Sequence, residues 1–166
     1  IELGLAEQIV KIIIISKEKG EKLVESQLIE SILYNSLCIF NKISEFSYSS
    51  IPTKEYNLLL ILISLFDKYK YSKDLIIVIL KAIHHIVSHD SSQRDDNEIL
   101  TMINLLGAGH KIYYSLVDIL ILVNSIAYEM INKSTKNKEL IIKAFKIIVS
   151  SIYIQEDNSE LLTFSL

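Results

Sequence analysis

The sequence predicts an all-α protein, and three observations lead to this fold class. The chain has 166 residues, half of them hydrophobic, and a net charge of −3, which excludes an intrinsically disordered chain. Four Gly and one Pro are too few for the turns that a β-sandwich needs every 8–12 residues. Apolar residues recur at three- and four-residue steps, for example at Ile141, Phe145 and Ile148, which is the period of an amphipathic helix.

Seven helices follow from this period together with the caps and breakers between them. We expect helix 1 at 3–18, ending before Gly20. Helix 2 is predicted to start from an N-cap at Ser26 and to run to about residue 44, with Ile32 among its inward-facing residues. The two helices are predicted to form the first antiparallel hairpin.

The second hairpin follows the only proline. Pro52 pushes the residue before it out of the helical region, so a loop is predicted there, and Thr53 is predicted to cap helix 3 at about 54–69. Ser72 is predicted to cap helix 4 at about 73–88.

The C-terminal half begins with the most polar stretch of the chain, which is predicted to be a loop at 90–98. Helix 5 is expected at about 97–106 with a stop at Gly107. Helix 6 is expected at about 110–131, and helix 7 from about residue 136.

The spacing of these helices resembles that of helical-hairpin repeats of the HEAT and armadillo type. The odd-numbered helices begin about 51, 42 and 41 residues apart, and such repeats have periods of about 40–47 residues. The resemblance rests on period and pattern only. It implies an α-solenoid of stacked hairpins, which we favour over a globular helical bundle with a similar hydrophobic pattern.

Residue usage argues against several kinds of chemistry. Cys38 is the only cysteine, so a zinc site with two thiolates and an intramolecular disulfide are both excluded. His85 and His89 have the four-residue spacing of helical metal ligands, but the sequence indicates neither the intervening catalytic Glu nor a third ligand. No Ser/His/Asp grouping or paired carboxylates are evident. We therefore predict a non-enzyme with no catalytic residues, no cofactor and no metal.

Charge and hydropathy limit the kinds of partner. Arg94 is the only arginine beside 16 lysines, and the isoelectric point is about 5.8, so direct nucleic-acid binding is unlikely on chemical grounds. The longest apolar run, 58–66, is about half of what a membrane span needs, and no membrane insertion is predicted. The lack of cysteine pairs is typical of cytoplasmic or nuclear proteins.

These observations predict a non-catalytic scaffold or adaptor for protein–protein interactions. Because the chain begins with Ile, we expect a single all-α domain over 1–166 that is part of a larger protein. Its partner is expected to be another protein or a second copy of itself. The alternative is a globular bundle that binds a small hydrophobic ligand or a metal, or that runs an enzyme reaction between its helices. Polar positions on helices 2, 4 and 6 are the predicted protein-binding residues: Asn35, Lys42, Lys81, His85, Asp118 and Asn124.

Overall fold

A computed structural model of the chain describes residues 3–18, 23–89, 101–107, 112, 116–133, 139, 142–143, 146 and 149. Every secondary-structure element within these ranges is a helix, which confirms the all-α prediction. The chain packs as two compact units, Ile1–His89 and Asp90–Leu166. Among the helices described, none is long and apolar enough to cross a membrane.

The first unit consists of two helical hairpins. Its elements are α1 (Leu3–Glu18), α2 (Leu23–Ser47), a short 3-10 helix (Tyr48–Ser50), α3 (Leu58–Lys68) and α4 (Lys73–His89). Only four residues separate α1 from α2 and α3 from α4. Helices joined by so short a connection can pack along their lengths only as antiparallel pairs, and both pairs do pack together.

The two hairpins stack with α1 beside α3. Near the start of α1, the Tyr56 hydroxyl donates a 3.0 Å hydrogen bond to Glu7 Oε1. At the other end, Lys68 Nζ donates to the backbone carbonyl of Lys17 over 3.3 Å. The start of α1 therefore meets the approach to α3, and the two ends also meet, so these helices run in the same direction.

The helices α2 and α4 are parallel in the same way. In the middle of their contact, Asn41 Nδ2 donates a 3.0 Å hydrogen bond to the carbonyl of Val78. Beyond it, the Tyr48 ring stacks on His89 with the ring centroids 4.7 Å apart. The middle of α2 thus meets α4, and the residue that follows α2 meets the end of α4, which places α2 beside α4 just as α1 lies beside α3.

The core of the first unit lies between these helices and is almost entirely aliphatic. Its largest fully buried side chains are Ile13, Leu33, Leu37, Phe40, Leu58, Leu62, Leu65, Phe66, Ile76, Ile79, Leu80 and Ile83. Each such side chain contributes about 1.5–3 kcal/mol when it leaves water. The helix α4 is buried along most of its length, because it packs against both α2 and α3.

Apart from Leu116, the described residues of the second unit are helical. Residues 101–107 form α5, and α6 spans Val117–Lys133. Residues 139, 142–143, 146 and 149 are helical as well, and Lys143 Nζ lies 2.9 Å from Glu139 Oε1, one helical turn away. This agrees with the predicted seventh helix. The predicted loop at 90–98 and the residues after 149 lie outside the described part.

Two predicted helix caps are wrong. The helix α2 begins at Leu23, so Ser26 lies inside its first turn, because strong helix formers such as Leu extend the helix toward the preceding turn. The helix α3 begins at Leu58 rather than near 54, since Asn57 adopts a left-handed conformation (φ 47°, ψ 40°) that interrupts helical geometry. The Thr53 hydroxyl instead lies 3.3 Å from the Tyr48 hydroxyl.

The prediction of one continuous helix 6 from about residue 110 is wrong, although Ile112, near its predicted start, is helical. Leu116 is not helical, and its carbonyl accepts hydrogen bonds from the backbone N–H groups of Ile119 and Leu120. This is the role of a residue that precedes a helix, so α6 begins at Val117 rather than near 110. By contrast, α1 and α4 start and end within one residue of their predicted bounds.

Candidate functional site

Three of the predicted protein-binding residues lie close together on the surface formed by α2 and α4. Lys42 on α2 forms an ion pair with Glu45, with Nζ 2.7 Å from Oε2. The Glu45 carboxylate also interacts electrostatically with His85 and Lys81 on α4. Glu45 is thus the common neighbour of all three, and we call Lys42, Glu45, Lys81 and His85 the charged cluster.

Electrostatics in the charged cluster follow from burial and from this central carboxylate. The hydrogen bond from Lys42 holds the pKa of Glu45 below its ordinary value, and electrostatic interactions with His85 and Lys81 act in the same direction. Burial lowers the pKa of His85, and the neighbouring His84 lowers it further, while Glu45 opposes the shift. The cluster therefore favours a neutral His85 beside a charged Glu45.

The end of α4 carries a row of aromatic rings. His89 stacks on Tyr48 at an interplanar angle of 22°, and the ring centroids of His85 and His89 are 6.2 Å apart. His89 Nδ1 donates a 2.9 Å hydrogen bond to the His85 carbonyl, and His84 Nε2 lies 3.3 Å from Ser88 Oγ. Within the described ranges, no three His, Cys, Asp or Glu side chains come close enough together to hold a metal ion.

Asn35 lies apart from the charged cluster, in a polar groove at the other end of the α2–α4 contact. The groove has a volume of about 610 Å³. Its walls are Gln27, Glu30, Ser31, Tyr34 and Asn35 from α2, with Ser72, Asp74 and Leu75 from the start of α4. The described lining contains two carboxylates, three hydroxyls and two amides but no cation, so the groove is open, polar and acidic.

An exposed apolar stripe runs along α2. Its members are 42% to 79% exposed: Leu28, Ile32, Ile39 and Phe46. Asn35 and Lys42, both predicted as binding residues, occupy the helical turns between them. The inward orientation predicted for Ile32 is wrong, because the buried face of α2 centres on Leu33, Leu37 and Phe40, and each residue is rotated by about 100° from the next.

A second stripe of the same kind lies on α1. Leu5, Ile12 and Ile15 are 37% to 48% exposed, although Ala6, Ile9, Val10 and Ile13 of the same helix are buried. Single exposed apolar residues are ordinary on protein surfaces, but successive ones on one helical face indicate a contact surface. On each of these two helices, the stripe is the largest group of neighbouring exposed apolar side chains.

No protein-family model, curated protein or solved structure matches this chain. Its function is therefore inferred from these residues alone.

The other two predicted binding residues belong to the second unit. Asp118 is exposed in the first turn of α6, and Asn124 is half-buried about two turns further along the same helix. Both lie on the helix where they were predicted.

Sequence reasoning missed the carboxylates that organise the first unit's surface. Glu45 was overlooked because its neighbours Lys81 and His85 are nearly forty residues away in the chain. Glu30 and Asp74 were overlooked because their common groove exists only when α2 and α4 run parallel. A sequence signal was present for Glu45, since it stands three residues after Lys42 and can pair with it on one helical face.

Proposed function

We propose that this chain is a non-catalytic scaffold for protein–protein interactions, built from stacked helical hairpins of the HEAT/armadillo kind and acting as a segment of a larger assembly. The observation that carries the proposal is the layering of the first unit, where α1 lies beside α3 and α2 beside α4, each pair in the same direction. Stacked hairpins of this kind present extended surfaces to other proteins.

The α2–α4 layer is the proposed binding surface. It carries the charged cluster at one end and the acidic groove at the other, so it offers charges of both signs along its length. Mixed charges on a protein surface favour specific orientation of a partner more than they add to affinity. Asn35, Lys42, Lys81 and His85 contribute to this surface, and Asp118 and Asn124 are proposed as further contacts from the second unit.

The experiment that tests the proposal combines purification with charge reversal. Proteins that co-purify with the chain from its native source are identified, and their binding is measured again with the Lys42→Glu/Lys81→Glu variant. We expect binding to weaken at least tenfold, because two cations of the charged cluster become anions. The matched control is Lys54→Glu/Lys146→Glu, which reverses two exposed lysines outside α2 and α4.

Two results would contradict the proposal: unchanged binding in the Lys42→Glu/Lys81→Glu variant, or an equal loss in the control. Circular dichroism of both variants checks that they remain folded. The alternative, a bundle that holds a metal or a small hydrophobic ligand, predicts stoichiometric zinc or iron or a co-purifying apolar compound, which elemental analysis and mass spectrometry detect.

A further inference from the structure

The α1 and α2 stripes lie on one face of the first unit. On α2, Asn41 marks the side that meets α4. At 100° per residue, the members of the α2 stripe are rotated by about 140–180° from Asn41, so the stripe points away from α4. On α1, Glu7 marks the side near Tyr56, which precedes α3.

The α1 stripe is turned in the corresponding direction. Leu5 and Ile12 are rotated by about 140–160° from Glu7, whereas Ile15 is rotated by about 80° and lies at the edge of this stripe. Because α1 stacks beside α3 and α2 beside α4, both stripes point away from the second hairpin. We call the two stripes together the open face, since it is the side of the first hairpin opposite the second one.

The open face is large enough to form a stable interface. Its seven apolar side chains together expose roughly 700 Å², near the ~800 Å² that each partner contributes to an interface of standard size. Along α2 the stripe spans the 19 residues from Leu28 to Phe46, or about 27 Å. With Asn35 and Lys42 included, successive positions of the α2 stripe are four, three, four, three and four residues apart. This spacing matches the seam by which helices pack in coiled coils.

The charges of the open face permit contact with an identical surface. A two-fold symmetric interface brings the same patch of two copies together, so an uncompensated charge near its centre meets a like charge. Lys42 is the one charged residue among the positions of the two stripes, and Glu45 neutralises it over 2.7 Å. The polar residues between the apolar ones, Gln8 and Asn35, carry no charge.

From this geometry we infer that the open face binds a second copy of the chain and forms a two-fold symmetric dimer. The first hairpin of each copy covers the apolar face of the other. The inference goes beyond the proposed scaffold function. The two surfaces share Asn35 and Lys42 at their common edge, but the open face is tested through Ile32 and Ile39 and without any other protein.

The test measures molar mass and affinity for the full chain by light scattering and sedimentation equilibrium. We expect a species of twice the 19.0 kDa chain mass. The Ile32→Ser/Ile39→Ser variant is expected to weaken the dimer roughly 100-fold or more, since each lost apolar contact counts once per copy. The matched control is Leu60→Ser on α3, because Leu60 and Ile32 are equally exposed at 42%, and its dimer should be unchanged.

A second measurement covers the possibility that the double variant fails to fold. Asn35→Cys in a Cys38→Ser background receives a spin label, and dipolar coupling reports the distance between copies. Labels on facing helices should lie within about 25 Å of each other, since packed helices are 8–10 Å apart. The inference is wrong if the unaltered chain is monomeric up to millimolar concentration, if Leu60→Ser dissociates the dimer equally, or if no coupling between copies is found.

Discussion

Asn41 offers the sharpest test of the packing between α2 and α4. Its side chain is buried, with 7% of the residue exposed. The amide Nδ2 donates to the Val78 carbonyl, while Oδ1 has no hydrogen-bond partner among the described residues. Asn41→Leu removes both polar atoms and keeps the number and branching of the side-chain heavy atoms, although leucine is the larger residue. The Val78 carbonyl still accepts the backbone hydrogen bond of its own helix, so the substitution leaves no orphaned acceptor.

The expected magnitude comes from three contributions. Loss of the hydrogen bond costs about 0.5–1.5 kcal/mol, whereas removal of an unsatisfied buried oxygen returns about 1–3 kcal/mol. Burial of a leucine side chain adds roughly 1.5 kcal/mol, part of which is lost to imperfect packing. We expect a net stabilisation of about 1–2 kcal/mol, which for a chain of this length raises Tm by roughly 2–8 °C.

The assay follows helicity at 222 nm through thermal and urea unfolding of the full chain. The matched control is Asn41→Asp, which places a charged carboxylate in the same buried position and should destabilise the protein by more than 2 kcal/mol, on the order of the cost of an unpaired buried polar group. A loss of more than about 1 kcal/mol in Asn41→Leu would refute the reasoning. It would mean that the amide is fully satisfied and holds α2 and α4 in register.

Two further predictions concern the core and the charged cluster. Leu62→Ala should destabilise the protein by about 2–5 kcal/mol, because Leu62 is completely buried. The control Leu60→Ala, on the exposed side of the same helix, should cost less than about 0.5 kcal/mol. Equal losses of stability in urea unfolding would contradict the assigned faces of α3. Burial lowers the pKa of His85 in the folded chain below 6.5. As the pH falls, the unfolded chain therefore binds a proton at His85 before the folded chain does. The contribution of neutral His85 to stability is present above pH 6.5 and is lost as the pH falls through the folded pKa. The titratable groups that interact with His85 are His84, His89, Lys81 and Glu45. His85→Gln should therefore lose less stability than the unaltered chain between pH 7.5 and 5.5, and identical losses would show that His85 does not contribute.

Much of the fold could be predicted because it depends on local patterns. The period of apolar residues determines α1 and α4 almost to the residue, since each has one continuous buried face. The start of α3 could not be predicted in this way, because the left-handed conformation of Asn57 depends on contacts of the preceding turn. The prediction that Ile32 faces inward is wrong for a related reason. An apolar residue at the edge of a helix's buried face is itself buried only if a neighbouring helix reaches it.

The candidate site was predictable only in part. Lys42, Lys81 and His85 were chosen as polar positions on their own helices, and the contact between α2 and α4 brings them together around Glu45. Which residues share the acidic groove depends on helices separated by about forty residues in the chain. No periodicity within one helix carries that information, so Glu30 and Asp74 required the structure.

The two hairpins stack with their equivalent helices side by side, and this arrangement has a consequence for how such a protein evolves. The second hairpin places α3 next to α1 and α4 next to α2, and the contact between α2 and α4 is the larger of the two. In the proposed hairpin scaffold, a duplicated hairpin would extend the stack without a new core. Under that proposal, gene duplication alters the number of hairpins more easily than the packing within each hairpin.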